Sequence, residues 1–331
     1  MLKLGVVGTS PIAQEFIDAA ISDGHYHLSA VYSRKIETAQ DFLSKVSPSG
    51  KARPYDQWQD FLDSPLNVVY IASPNAVHFE QARAALASGH HVIVEKPATS
   101  RPEEWQMLLE TARANQVMIF EAARNIHEEA FELIKRFLAD HVVQGAFFSY
   151  AKYSSKMKDL LEGRTPNAFS NRMSGGALMD LGVYCLNAAI YLFGKPEGCR
   201  YQAVRLPNTV DVNGMGSLVY KDFIVNMQAG KNIQSDLTAE IYCQDGTLLL
   251  SGIEEVGSAV FKSLDGKTIR MDFSPSEKRM SPEVADFARI ILEKDQAAFE
   301  AWAQQTSTVQ DSLLAMRQDA GIEFEVDHDY R

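Results

Sequence analysis

Lys96, Asp180 and Tyr184 are the side chains best suited to hold or move a proton, and each stands in an informative run. Lys96 belongs to His91-Val92-Ile93-Val94-Glu95-Lys96-Pro97, where an apolar stretch ends abruptly in an acid, a base and a proline. Parallel α/β sheets hold their ligands at the carboxyl ends of strands. A partly desolvated lysine there can donate hydrogen bonds, hold an anion or work as an acid or base with a lowered pKa. The run also reads as a plain strand end with a solvated lysine. Asp180 and Tyr184 lie in Ser174-Gly175-Gly176-Ala177-Leu178-Met179-Asp180-Leu181-Gly182-Val183-Tyr184-Cys185-Leu186-Asn187. Four residues apart on an apolar helical run, they are predicted to share one face. That suits a paired polar site, and equally a capped helix whose buried tyrosine bonds to the aspartate.

A second group of residues suits an anion. Gly8-Thr9-Ser10-Pro11-Ile12-Ala13 follows the apolar run Leu2 to Val7 and opens a helix, the position of a G-x-G-x-x-G/A dinucleotide fingerprint. Ser10 replaces the middle glycine, so the backbone approaches a pyrophosphate less closely or the hydroxyl donates to it. A plain strand–turn–helix reads the same way, although any helix amino terminus favours anions. The next apolar run ends at Tyr32-Ser33-Arg34-Lys35. An NAD site places an acid here for the ribose hydroxyls. A hydroxyl and two cations suit the 2′-phosphate of NADP(H) instead, or form a solvated basic turn. Ser73-Pro74-Asn75-Ala76-Val77-His78 ends a third apolar run. Ser73, Pro74 and Asn75 sit where a ribose or the nicotinamide passes, while His78 reads first as a helix-terminal residue. Glu95, Lys96 and Pro97 complete the cofactor-side candidates.

The elements that must position these residues follow from hydropathy. Apolar strands at Leu2 to Val7, Leu28 to Tyr32, Asn67 to Ala72, His91 to Val94 and Val117 to Phe120 alternate with helical patterns at Pro11 to Ile21, Thr38 to Val46, Val77 to Ala87 and Pro102 to Ala114. This predicts a doubly wound parallel sheet, covered on both faces, over residues 1–121. Residues 122–331 change character. After a helix at Ala130 to Leu138, strands are predicted at Ala146 to Tyr153, Cys199 to Arg205, Gly216 to Tyr220, Phe223 to Gln228, Ala239 to Cys243, Thr247 to Leu250 and Ala259 to Ser263. Hairpin signals at Asp245-Gly246 and Asp265-Gly266 make this an α+β domain with a large open, mostly antiparallel sheet. Two or three helices are predicted over Pro282 to Ala320.

Composition narrows the class. The 331 residues are 46% hydrophobic and 23% charged, ordinary for a globular protein. No apolar run reads as a membrane span, and the start reads directly into a strand with no leader. Three scattered cysteines, Cys185, Cys199 and Cys243, include no CxxC pair, so neither a disulfide framework nor a zinc site is expected and a reducing cytoplasm fits. A net charge of -11 argues against nucleic acid as a partner.

Taken in order, Gly8 to Ala13, Pro74 to His78, Glu95-Lys96-Pro97 and Gly175-Gly176…Asp180-Leu181-Gly182-Val183-Tyr184 resemble the Gfo/Idh/MocA family, named for glucose–fructose oxidoreductase, inositol dehydrogenase and a rhizopine catabolism protein. The resemblance covers nearly the whole chain. It implies a Rossmann domain, a second domain with an open sheet, a nicotinamide cofactor between them, and oligomers, often dimers, formed through that sheet. It makes Lys96 the lysine beside nicotinamide and substrate, and Asp180 the acid that orients the substrate. Tyr184 stands where inositol-type members carry histidine and where members resembling glucose–fructose oxidoreductase and dimeric dihydrodiol dehydrogenase carry tyrosine. It places Glu121, Arg124, Asn125 and His127 along the substrate-facing junction, with Arg124 and Asn125 as substrate contacts. Lys152 or Tyr153, and Asn167, Phe169 and Arg172, are softer candidates.

A mechanism follows. A free tyrosine, with a pKa near ~10, is a poor base at neutral pH, and a nearby ammonium favours its phenolate. Tyr184 is then the general acid/base, Lys96 tunes it and polarises the carbonyl, and Asp180 orients the hydroxyl. No metal is required, because Lys96 supplies the positive charge. The expected activity is hydride transfer between NADP(H), or NAD(H), and a sugar, polyol or related vicinal hydroxy compound. A glycosidase using transient oxidation and a nonenzymatic dinucleotide or sugar sensor are the alternatives.

Overall fold

Apolar-rich strands build the sheet that carries the fingerprint. The computed structural model describes residues 1–47, 50–237, 239–274 and 276–330. Two units divide the chain: Met1–Thr99, Glu103–Arg124 and Ser276–Gln304 form the first, and Ser100–Pro102, Asn125–Pro275 and Gln305–Arg331 the second. The first holds β1 (Leu2–Val7), β2 (Tyr26–Tyr32), β3 (Arg53–Tyr55), β4 (Val68–Ile71), β5 (His91–Glu95) and β6 (Ile119–Ala122). They are ordered β3-β2-β1-β4-β5-β6 and every pair is parallel. The order reverses between β1 and β4, and the crevice beyond their carboxyl ends is where such sheets take nucleotides. All four residues of β4 are buried, as a sheet covered on both faces requires. Phe16, from the helix Pro11–Asp23, stacks on Tyr70 with ring centroids 3.7 Å apart.

Two features of this unit escape a hydropathy reading. β3 is a three-residue edge strand containing Pro54, too short and too polar to show a period. The helix Ser281–Glu293 returns to the first unit, although a single division at residue 121 leaves it in the second. Its apolar stripe includes Phe287, which stacks on Phe120 of β6 at 4.8 Å. An amphipathic stripe shows that a partner exists without saying which sheet supplies it.

One strand carries a titratable brace. His91, at the start of β5, accepts a hydrogen bond at Nδ1 from the Met118 N–H at 3.0 Å. Burial, with neighbouring His90 as a lesser cause, lowers its pKa to about 4. The unfolded chain therefore takes up a proton near pH 6.5 that the folded chain refuses until about pH 4. Stability from this group is complete above pH 6.5 and is lost as pH falls through that window, by about 2–3 kcal/mol. His91→Asn keeps an acceptor without titrating. Urea unfolding at pH 7 and pH 4.5 should show a smaller acid loss in the variant, and equal losses would exclude His91 as its source.

The second unit is built on alternation. It holds β7 (Val143–Ala151), β8 (Gly198–Arg205), β9 (Asp211–Val219), β10 (Ile224–Gly230), β11 (Ala239–Cys243), β12 (Gly246–Leu250), β13 (Ser258–Ser263) and β14 (Thr268–Asp272). The order is β14-β13-β12-β11-β7-β10-β9-β8. Only β7 and β10 pair in parallel; the other neighbours are antiparallel. Val225, Met227 and Ala229 of β10 are buried on the inner face, where the helix Val183–Phe193 packs and Phe193 stacks on Phe148 at 6.3 Å. β14 was not expected: four of its five residues are exposed, so it shows no buried alternation. β7 ends at Ala151, so Lys152 and Tyr153 lie beyond the strand, both exposed, and the expected choice of one inward-facing side chain does not arise. Asn171–Phe193 is long and apolar enough to cross a membrane, contrary to the sequence expectation, but 67% of its apolar window is buried within the protein.

Candidate active site

The first unit presents an anion-binding end. Gly8 follows β1 with φ of +104°, and a Cβ there would lie 2.8 Å from the Ala72 carbonyl oxygen after β4. Only glycine keeps this cradle open. Ser10 caps the helix Pro11–Asp23, accepting from the Ala13 N–H at 3.4 Å, so its hydroxyl is engaged at the helix and Pro11 offers no N–H. Gly8, Thr9, Ser10 and Ile12 are all partly accessible, and Pro11 is exposed. The cradle and helix terminus fit the pyrophosphate of NAD(P). At the end of β2, Ser33 is half-buried, whereas Arg34 and Lys35 are exposed and, among the described residues, join no ion pair.

A network of backbone contacts fixes the turn that carries Lys96. The Lys96 N–H donates to Glu95 Oε2 at 3.2 Å, and Tyr70 Oη donates to Glu95 Oε1 at 2.5 Å. The Ala98 N–H donates to Glu121 Oε1 at 2.8 Å. His78 bridges two turns, with Nδ1 3.1 Å from the Pro97 carbonyl and Nε2 2.8 Å from the Ser73 carbonyl. Burial lowers the His78 pKa and favours the neutral ring, which donates to one carbonyl according to its tautomer. Glu95 and His78 are buried and their polar atoms face protein groups, so both hold the turn, as the helix-terminal reading of His78 expects. Glu121 does the same. Burial raises the Glu95 pKa against the opposing pull of Lys96 and the Tyr70 hydrogen bond. Lys96 is half-buried; Pro74 is exposed, Asn75 half-buried, and Ser73 donates from Oγ to Gln81 at 2.6 Å. Arg124 is buried in the same unit, close enough to Glu95 and Glu283 to stabilise their charged forms.

The second unit presents the acid and the phenol. Leu178–Gly182 is one π-helical turn that runs into the helix Val183–Phe193. Asp180 and Tyr184 therefore straddle a change of helical pitch and do not stand on a uniform α-helical face. Asp180 has a partner from outside this turn: the buried Lys231 ammonium donates to Asp180 Oδ2. Lys231 also lies 5.4 Å from the Phe169 ring centroid. Tyr184 is half-buried, edge-on to Tyr150 of β7 at 5.3 Å. Its carbonyl accepts from Asn125 Nδ2 at 3.3 Å, and the same amide donates to the Ile253 carbonyl at 3.1 Å. Asn125 is fully buried, so it braces Tyr184 and the expected substrate contact is not supported. His127 is half-buried, Asn167 and Arg172 are exposed, and Phe169 is buried.

Below this turn lies a carboxylate that sequence reading missed. Asp211, at the start of β9, is fully buried; it accepts from the Leu178 N–H at 2.8 Å and from Tyr201 Oη at 3.0 Å. Burial raises its pKa while both donors oppose the rise. It anchors the turn that presents Asp180. Lys231 could have been flagged by the signal that marks Lys96, a cation directly after a buried strand end, Ala229-Gly230. Asp211 had no such signal, because a lone aspartate at a strand start usually caps a turn.

Comparison with known proteins completes the picture. Residues 2–123 match the oxidoreductase family with an NAD-binding Rossmann fold, GFO_IDH_MocA, and residues 142–249 match the GFO/IDH/MocA C-terminal domain. The chain is 36% identical over 79% of its length to the uncharacterized oxidoreductase YgjR of Escherichia coli (strain K12), covering 79% of that protein. It is 31% identical to scyllo-inositol 2-dehydrogenase (NADP(+)) IolU of Bacillus subtilis (strain 168), with 99% of each chain covered. Among solved structures, KijD10, a 3-ketoreductase from Actinomadura kijaniata in complex with NADP and TDP-benzene, superposes with a TM-score of 0.85 at 19% identity, covering 96% of this chain and 98% of that one. The fold is shared at that distance. The chain belongs to the Gfo/Idh/MocA family and is an NAD(P)-dependent oxidoreductase acting on CH–OH groups.

Proposed function

We propose that this oxidoreductase prefers NADP(H) and acts on a sugar, polyol or related vicinal hydroxy compound, with Tyr184 as general acid/base. The observation that carries the reading is the half-buried Tyr184, four residues along the chain from a carboxylate whose partner is a buried ammonium. A carboxylate so paired acts as an acceptor, suited to orienting a substrate hydroxyl. Tyr184 takes the hydroxyl proton on oxidation and returns it on reduction. Lys96, on its braced turn, favours the phenolate and the carbonyl-side charge; that both serve one hydroxyl rests on the sequence pattern. Bound nicotinamide supplies the hydride donor or acceptor. The relatives' names support the substrate class: besides IolU they include D-xylose 1-dehydrogenase (NADP(+)) and trans-1,2-dihydrobenzene-1,2-diol dehydrogenase. IolU widens the class that a tyrosine at position 184 alone suggests.

Residues 1–121 would bind the dinucleotide, with Arg34 and Lys35 on its 2′-phosphate, and the later part would bind substrate and form a homodimer. Val204, Met215 and Ile224 support the dimer: they are 58%, 60% and 48% exposed on the sheet face opposite the helix Val183–Phe193. Sedimentation velocity tests this, and a monomer at micromolar concentration overturns it. Cofactor choice is tested by fluorescence titration with NADPH and NADH, followed by a polyol, aldose and dihydrodiol activity panel. Charge-assisted hydrogen bonds are worth about 1.5–3 kcal/mol each. The double variant Arg34→Ala, Lys35→Ala should therefore weaken NADPH binding about 10²–10⁴-fold while leaving NADH nearly unchanged. Equal or tighter NADH binding by the unaltered protein overturns the preference.

A further inference from the structure

A group of unlike donor atoms sits far along the second sheet from Asp180 in sequence. His141 precedes β7, Cys243 ends β11, and Asp245 lies in the hairpin that joins β11 to β12. The imidazole, thiol and carboxylate each offer an atom within 4.8 Å of the other two. His141 Nδ1 lies 3.0 Å from both Asp245 oxygens. Among the described residues this is the one group of three His, Cys, Asp or Glu donors that converges so closely.

Backbone pairing holds the three in place. Gln244 N–H donates to the Val142 carbonyl at 2.8 Å, and Leu264 N–H donates to the Asp245 carbonyl at 2.8 Å. Cys243 is in register with Val143 across a bulge. The His141 ring packs on Phe137 at 4.3 Å and on Phe261 at 4.8 Å, which fixes its plane. The thiol is buried, whereas the Asp245 side chain is 54% exposed, so the group opens to solvent on the carboxylate side. A hydrogen-bonded His–Asp pair accounts for two of these residues and leaves the sulfur unexplained.

We propose that His141, Cys243 and Asp245 form a site for a borderline-soft divalent cation, zinc in the first instance. Nitrogen, sulfur and oxygen donors together select Zn2+ over Mg2+ or Ca2+, which take oxygen. Three protein ligands leave one position for water on the exposed side. Burial, and next the Asp245 charge, push the Cys243 thiol up to about 11, so the cation must displace its proton, which leaves to solvent. The site ties the β11–β12 hairpin to the entry of β7 and asks nothing of the redox chemistry. Its ligands escape motif reading because His141 and Asp245 are 104 positions apart.

The test uses the full chain, stripped with chelator and titrated with Co2+ and then Zn2+. Cobalt should give a sulfur-to-metal charge-transfer band and tetrahedral visible bands, both bleached by one equivalent of Zn2+. Zinc should protect one thiol from alkylation and raise the Tm. Cys243→Ser should abolish the charge-transfer band, and His141→Asn should weaken Zn2+ binding by about 100-fold or more, since even changes beyond the ligands cost about 10–100-fold. Either variant that misfolds is replaced by Asp245→Asn, an exposed change expected to weaken binding in the same direction. A charge-transfer band that survives Cys243→Ser assigns the metal to another thiol and overturns the site. Absence of any band or thiol protection at millimolar metal overturns it equally.

Discussion

Tyr184→Phe should lower kcat and kcat/KM together by about 10²–10⁴-fold, the usual worth of a positioned general acid/base. The substitution removes one hydroxyl and keeps the ring that meets Tyr150 edge-on at 5.3 Å. The backbone at this position is held by Asn125 through the Tyr184 carbonyl, which phenylalanine retains. Tm and the Kd for NADPH should therefore stay close to those of the unaltered protein, which separates lost chemistry from lost folding or lost cofactor. A fall in kcat with KM nearly constant marks an interaction made in the transition state. A rise in KM at constant kcat would instead make the hydroxyl a substrate-binding group. Unchanged turnover on the preferred substrate would remove Tyr184 from the mechanism, and the Asp180–Lys231 pair would be the next place to look for the proton carrier.

Much of this arrangement was legible in the sequence where a single physical constraint dominates. The parallel sheet could be read because β1, β2, β4, β5 and β6 are mostly buried and leave apolar-rich runs. Gly8 could be read because a positive φ at a strand end admits few other residues. Illegible were features set by partners distant in sequence. The apolar stripe of Ser281–Glu293 could not name β6 as its target. Glu95 looked like a ligand group because its neighbours in sequence are catalytic in type, yet Tyr70, 25 positions away, claims its carboxylate. The four-residue spacing of Asp180 and Tyr184 implied an α-helical face, and the π turn breaks that inference. A π turn leaves no hydropathy signature, because one extra residue per turn shifts the apolar stripe without removing it. The nearby Gly175-Gly176 pair was visible, but the buried carboxylate that demands one of those glycines was not.

Gly176→Ala should destabilise the second unit by about 3–5 kcal/mol, a large loss against the 5–15 kcal/mol that holds a native protein. Gly176 has φ of +125°, where a side chain is strained whatever the space around it. A Cβ would also fall 2.2 Å from Asp211 Oδ1, well inside contact distance. Asp211 cannot retreat freely, because its other oxygen accepts from the Leu178 N–H and from Tyr201 Oη, both within 3.0 Å. Moving it would strand a buried hydroxyl and unpin the turn that presents Asp180, so activity should fall along with Tm. The two causes can be separated by adding Asp211→Ala. This second change removes the collision but leaves the φ strain and two unsatisfied donors, each worth about 1–3 kcal/mol. If collision is the main term, the double variant should be less destabilised than the sum of the singles by about 1–2 kcal/mol. Strict additivity in chemical denaturation would assign the whole effect of Gly176→Ala to backbone strain and leave Asp211 as an independent anchor of the turn.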